Sequence, residues 1–197
     1  MKRQIAFVGD IHGEIDALEK ALLFVKDTDA EESVFLGDYI NRGRNSKQVI
    51  DRLIEFERIR KCTFIRGNHD QLMINALSDA GAMGAFLKIG GAATIRSYLS
   101  GKNVESDVYR AFQEVVPSSH KRFLASTVSA WGTSKVYATH AGPADPKRLS
   151  ILGHSIVDRV VLRHGTINID TGCGQEGGKL TVLLYPSLEI RHFPSCT

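Results

Sequence analysis

The sequence predicts an α/β fold, two β-sheets packed face to face with helices outside and a helical insert between the halves of the chain. Three observations predict it. The first third alternates short apolar runs with amphipathic ones, the pattern of βαβ units and a largely parallel sheet. The last third is a series of short strand patterns separated by turn residues. The stretch between them is mostly helical. A chain of 197 residues is expected to form one domain, residues 1–197, with the insert at about 84–126.

Residues 4–8 are apolar and β-branched and read as a buried strand. Residues 14–26 follow with Ile15, Leu18, Leu22 and Val25 three or four apart, which is an amphipathic helix. A second strand is expected at 33–36 and a second helix at 46–56, with Ser46 as its N-cap. A third strand is expected at 62–65 and a third helix at 69–77. Gly90-Gly91 and Pro117 divide the insert into pieces. Strands are then expected at 128–130, 135–138, 156–162, 166–169, 180–184 and 188–191, with no further long helix. Trp131 and the phenylalanines read as core, and Tyr39 as a packing residue.

Composition excludes several classes. The net charge is +3 and the basic residues are scattered, so a nucleic-acid partner is not expected. No apolar run approaches ~18 residues, so no membrane span is expected. The three cysteines, Cys62, Cys173 and Cys196, are odd in number and lack C-x-x-C spacing, which points to a reducing, cytoplasmic setting.

Each of the first three strands ends in Gly followed by polar residues: Gly9-Asp10-Ile11-His12-Gly13, Gly37-Asp38-Tyr39-Ile40-Asn41-Arg42-Gly43 and Arg66-Gly67-Asn68-His69-Asp70. Neighbouring parallel strands lie about 4.8 Å apart, so these ends converge at the carboxyl edge of the sheet, where ligands bind. Asp10, His12, Asp38, Asn68 and His69 then face one pocket. Carboxylate, amide and imidazole donors without thiolate suit divalent ions such as manganese, magnesium, zinc or iron.

These three blocks resemble the signature blocks of the calcineurin-like metallophosphoesterases, and within them those of small bacterial and phage serine/threonine protein phosphatases of the phosphoprotein phosphatase group. Bis(5′-nucleosyl)-tetraphosphatases share the blocks. The resemblance continues through His140-Ala141-Gly142, Gly153-His154-Ser155, Asn168-Ile169-Asp170-Thr171-Gly172 and Leu180-Thr181. It implies a two-sheet αββα sandwich and a dinuclear metal site, with manganese first and iron, zinc, nickel or magnesium as alternatives. By resemblance, Asp10 and His12 hold one ion, Asp38 bridges, and Asn68, His140 and His154 hold the other. His69 would be the general acid, and Arg42 would grip phosphate oxygens with Asn68. Water activated by the ions would attack phosphorus in line.

The expected activity is a phosphomonoesterase of the serine/threonine phosphatase type, acting on a phosphorylated protein or small phosphoester. The alternative is a bis(5′-nucleosyl)-tetraphosphatase or other small-nucleotide hydrolase, and behind it an inactive metal-binding module.

Two departures from the pattern carry their own expectations. Asn41 stands where the group usually has Asp beside the acid. It would accept a hydrogen bond from His69 without adding charge, making His69 a weaker acid. Only thirteen residues separate His140 from His154. A longer segment usually supplies a second phosphate-gripping arginine there, leaving Arg148 or Arg44 to serve. The pocket should be more open on that side, with the insert as a wall. Asp70 reads as a supporting group or a helix N-terminal charge, Arg66 as half of a structural ion pair, and His120, His164 and His192 as surface.

Overall fold

The computed structural model describes residues 4–102 and 107–196. Residues 103–106, inside the expected insert, lie outside the described residues. The first half runs β1 (Gln4–Val8), α1 (Ile15–Lys26), β2 (Ala30–Phe35), α2 (Ser46–Glu57), β3 (Cys62–Phe64) and α3 (Asn68–Ser78). The insert holds α4 (Met83–Lys88), α5 (Gly91–Leu99), α6 (Val108–Val115) and α7 (Ser118–Ser126). The last third supplies β4 (Ala130–Gly132), β5 (Val136–Thr139), β6 (Leu149–Leu152), β7 (Leu162–Arg163), β8 (Thr166–Asn168), β9 (Lys179–Tyr185) and β10 (Glu189–Pro194).

Two five-stranded mixed sheets result, in the orders β10-β9-β1-β2-β3 and β4-β5-β6-β8-β7. In the first, β1, β2 and β3 are parallel and β9 is antiparallel to β1. In the second, β5, β6 and β8 are parallel. The first sheet is buried on both faces, and side-chain alternation sorts the two cores. Ala6, Val8, Phe35, Leu180 and Val182 join the helices in one cluster. Ile5, Phe7, Val34, Leu36 and Leu183 meet Val136, Ala138, Ile151 and Ile167 between the sheets. Among the described residues, no helix is long and apolar enough to cross a membrane.

Four expectations are corrected. Residues 156–161 form a loop rather than a strand, and Ile156 and Val161 are each 45% exposed. The apolar run there is a surface ledge, not a sheet element. The neighbouring strand lies instead at Leu149–Leu152, a pattern broken by Ser150, whose Oγ accepts from the Asp145 N–H. Ser46 is the first residue of α2, not its cap, and its Oγ accepts from the Asn41 N–H. His120 is buried, where its ring bonds the Tyr98 hydroxyl and the Asp51 carboxylate.

Candidate metal centre

The loops after β1, β2 and β3 are tied together by their own backbones. The Ile11 and His12 N–H groups both donate to the Asp38 carbonyl, and the Gly43 N–H donates to the His12 carbonyl. The fully buried Asp70 carboxylate accepts from the N–H groups of Asp38, Tyr39 and Gly67 at 2.8–3.0 Å. It caps α3 and fixes the Asp38 loop in one contact set. Seven non-glycine residues among those described adopt positive φ, and five of them are His12, Asp38, Asn41, Arg42 and His154. Left-handed backbone costs about 1 kcal/mol or more per residue, so local strain concentrates where the candidate donors sit.

The imidazoles are aimed by backbone carbonyls. His12 Nδ1 donates to the Ile40 carbonyl at 3.0 Å, and His140 Nδ1 donates to the Leu36 carbonyl at 2.9 Å. Their Nε2 atoms therefore turn inward, the nitrogen each would offer a cation once deprotonated. His140 Nε2 lies 3.0 Å from Asn68 Oδ1 and 3.4 Å from Asp38 Oδ2. His154 Nδ1 lies 2.9 Å from Asn68 Oδ1 and 3.2 Å from His140 Nε2. Those separations match the roughly 3 Å spacing of donors around one cation with bonds of about 2.0–2.2 Å.

The other side is looser. Buried His12 Nε2 has no hydrogen-bond partner among the described residues and lies 3.7 Å from Asp38 Oδ2. Two donor clusters emerge, His12–Asp38–His69 and Asp38–His140–His154, and Asp38 belongs to both. Asp10 is turned differently, its carboxylate accepting from the His154 N–H at 3.1 Å. A β-carbon at Gly153 would collide with that carboxylate, so the close approach requires glycine.

Four carboxyl groups crowd the pocket. Asp10, Asp38, Asp70 and Asp170 are all buried to 2% exposure or less. Burial, then the charges of Asp170 and Asp38, raises the Asp10 carboxyl well above its usual value. Burial and the Asp38 charge push Asp70 up to about 7. Burial also raises Asp170, whose Oδ2 has no hydrogen-bond partner among the described residues. Asp38 runs the other way. Burial would raise it, but the hydrogen bond and charge of His140, with His12 and His69, hold it well below the carboxylate range. Burial drops His12 to about 3. For His140, burial is outweighed by Asp38 and Asp10, which push it up to about 9. Bare lone pairs and crowded buried carboxylates together fit a pair of divalent ions.

These groups predict how the metal-free chain responds to pH. Asp70 and His140 bind protons more tightly folded than unfolded, so stability falls as pH rises through their folded values. Metal-free protein should therefore melt at a lower temperature at pH 9 than at pH 6.5, and manganese should shrink that difference by favouring deprotonated ligands. Melting curves with and without manganese check this, and a metal-free melting temperature that holds or rises would oppose it.

His69 stands at the N-terminus of α3. Its N–H donates to Asp38 Oδ1 at 3.0 Å, and its Nε2 lies 3.8 Å from Asp38 Oδ2. Burial, with Arg42 and the other imidazoles, lowers its pKa against the pull of Asp38. The Asn41 contact differs from the expectation. Thr94 Oγ1, from α5, donates to Asn41 Oδ1 at 2.7 Å, and Asn41 Nδ2 donates to the Ile89 carbonyl at 3.4 Å and to His69 Nδ1 at 2.8 Å. Asn41 is thus a donor, not an acceptor, and it holds His69 neutral with its proton on Nε2. The insert acts as a wall behind Asn41 through Thr94 and Ile89.

Arg42 is half-buried beside His12, and its buried Nη1 has no hydrogen-bond partner among the described residues. Arg44 is exposed. Arg148 lies elsewhere, at the N-terminal end of β6, whereas His154 follows that strand's C-terminal end. Its guanidinium holds Asp145 Oδ2 at 2.6 and 2.9 Å and stacks over Tyr137, so it is committed away from the pocket. His154 is exposed, consistent with an open rim on the side of the short segment. Arg66 bonds Thr127 and Gln71 rather than an acid. The sequence reading missed Asp170, the contacts of Asp70 and the part played by Thr94. Only Asp170 carried a signal, as an acid following a strand in the Asn168–Gly172 block.

The family model for the calcineurin-like phosphoesterases matches residues 3–187. A relative from Anoxybacillus flavithermus, the asymmetrical bis(5′-nucleosyl)-tetraphosphatase PrpE, is 26% identical, covering 95% of this chain and 93% of that one. Solved structures share the fold, among them two named as phosphatases. The cold-active protein-tyrosine phosphatase of a Shewanella psychrophile has a TM-score of 0.65 at 14% identity, covering 97% of this chain and 80% of that one. A protein serine/threonine phosphatase from Saccharomyces cerevisiae has a TM-score of 0.61 at 13% identity, covering 99% and 81%.

Proposed function

The chain belongs to the calcineurin-like phosphoesterases and is a metal-dependent phosphoester hydrolase, and we propose that it is a phosphomonoesterase of the serine/threonine phosphatase type that uses two divalent ions, manganese foremost. The observation that carries this reading is the meeting of Asp38, Asn68, His140 and His154 donor atoms at 2.9–3.4 Å. Asn68, His140 and His154 would hold one ion, Asp10 and His12 the other, and Asp38 would serve both.

When bound, the ions neutralise phosphoryl oxygens and lower the pKa of water. The chain's own groups do the rest. Arg42 Nη1 donates to a phosphate oxygen as negative charge spreads in the transition state. His69 Nε2 carries the proton for the departing oxygen, a service worth about 10²–10⁴-fold for a poor leaving group. A second reading, hydrolysis of bis(5′-nucleosyl) polyphosphates, is favoured by the name of the curated relative. Parallel assays on a phosphoserine peptide, an aryl phosphate and diadenosine tetraphosphate test both. No hydrolysis of any of them by manganese-loaded protein would overturn the assignment.

Asn41 tunes the leaving group that is accepted. Because it donates to His69 Nδ1, the imidazole has no acceptor for a second proton. Asn41→Asp would accept from Nδ1 and favour the protonated ring. Turnover of phosphoserine peptide should rise about tenfold, and that of an aryl phosphate much less. Equal changes on the two substrates would remove this role.

A further inference from the structure

The corrected loop at residues 156–161 borders a cavity of about 720 Å³, lined among others by Ile156, Arg159, Val161, Arg163, Thr166 and Asn168. Its size is that of a small-molecule site. One lining residue links it to the candidate centre: Asn168 Nδ2 donates to the Gly153 and Ser155 carbonyls on either side of His154.

The chemistry of the lining is distinctive. Arg52, Arg110, Arg148 and Arg191 each meet a carboxylate. Arg159 and Arg163 make no hydrogen bond or ion pair among the described residues and remain exposed, against one acid in the lining, Asp158. Beside them Ile156, Val161 and Leu162 present an apolar ledge, the last 56% exposed. Neighbouring exposed aliphatic groups mark a binding surface. Unpaired guanidiniums next to an apolar ledge suit a ligand that is both multiply anionic and flat. A peptide strand is a poor fit, because the adjoining edge strand β7 is only two residues long and offers almost no ladder.

We propose that this cavity binds the departing nucleotide of a nucleoside polyphosphate, its phosphates on Arg159 and Arg163 and its base against Ile156 and Val161. The assignment rests on the nucleotide reading of the proposed function. Hydrolysis forms one P–O bond from water at the phosphorus held in the centre. It breaks one phosphoanhydride P–O bond, and the proton goes to the departing phosphate oxygen.

The test compares the wild type with Arg159→Ala/Arg163→Ala and with Val161→Asp, both at exposed positions. Calorimetry with ADP on the metal-free protein should show binding about tenfold or more weaker in each variant. With manganese-loaded protein, the ratio of kcat/KM for diadenosine tetraphosphate to that for p-nitrophenyl phosphate should fall by a similar factor. Unchanged ADP binding with an unchanged ratio overturns the proposal. So does unchanged ADP binding with loss of phosphoserine-peptide hydrolysis, which would make the cavity a peptide site. If ADP binding weakens as expected but the manganese-loaded wild type hydrolyses nothing, the cavity binds nucleotide, yet its role for a departing product and the proposed function both fall.

Discussion

Asp38→Asn should lower hydrolysis of an aryl phosphate by about 10³-fold or more and leave the purified protein short of metal. Asp38 is shared by both donor clusters, and three imidazoles surround its carboxylate. Asparagine keeps the shape and the oxygen that accepts the His69 N–H. It also tolerates the backbone, where φ is 50°. The variant therefore folds and isolates the loss of charge between two cations. Elemental analysis after dialysis, beside the steady-state rate, reads both effects. Full metal content with near wild-type turnover would show that Asp38 bridges nothing.

His69→Asn should lose about 10²-fold or more on a phosphoserine peptide and clearly less on an aryl phosphate, whose leaving group needs little help from an acid. The comparison matters because His69 also falls in the His12–Asp38 donor cluster. A ligand and an acid differ in readout. Loss of an acid leaves metal stoichiometry intact and steepens the dependence of rate on leaving-group pKa. Loss of a ligand lowers the metal content and slows all substrates alike. Asn can still occupy the first turn of α3 beside Asn68, so the helix start survives.

The carboxyl-end loops were legible because chemistry and topology coincide there. Short apolar runs fixed β1, β2 and β3, and Gly-Asp or Gly-Asn at each end fixed what they carry. His140 and His154 follow β5 and β6 in the same manner, and in β6 the apolar pair Ile151-Leu152 marks the strand end while Ser150 interrupts the pattern before it. What was not legible depends on contacts between distant segments. The polarity of the Asn41–His69 bond is set by Thr94, 53 residues away. Arg148 is committed by Asp145, a partner that sequence position alone does not reveal. The run at 156–162 has strand composition, yet Ile156, Val161 and Leu162 face solvent. Of that run only Leu162 enters a strand, pairing with Ile167 at the edge of the second sheet.

Two divalent cations sharing Asp38 can be counted by calorimetric titration of metal-free protein with manganese. Two ions bound per chain, reduced to one or none in Asp38→Asn, is the expected result. A wild-type chain that takes up one ion or none would contradict it.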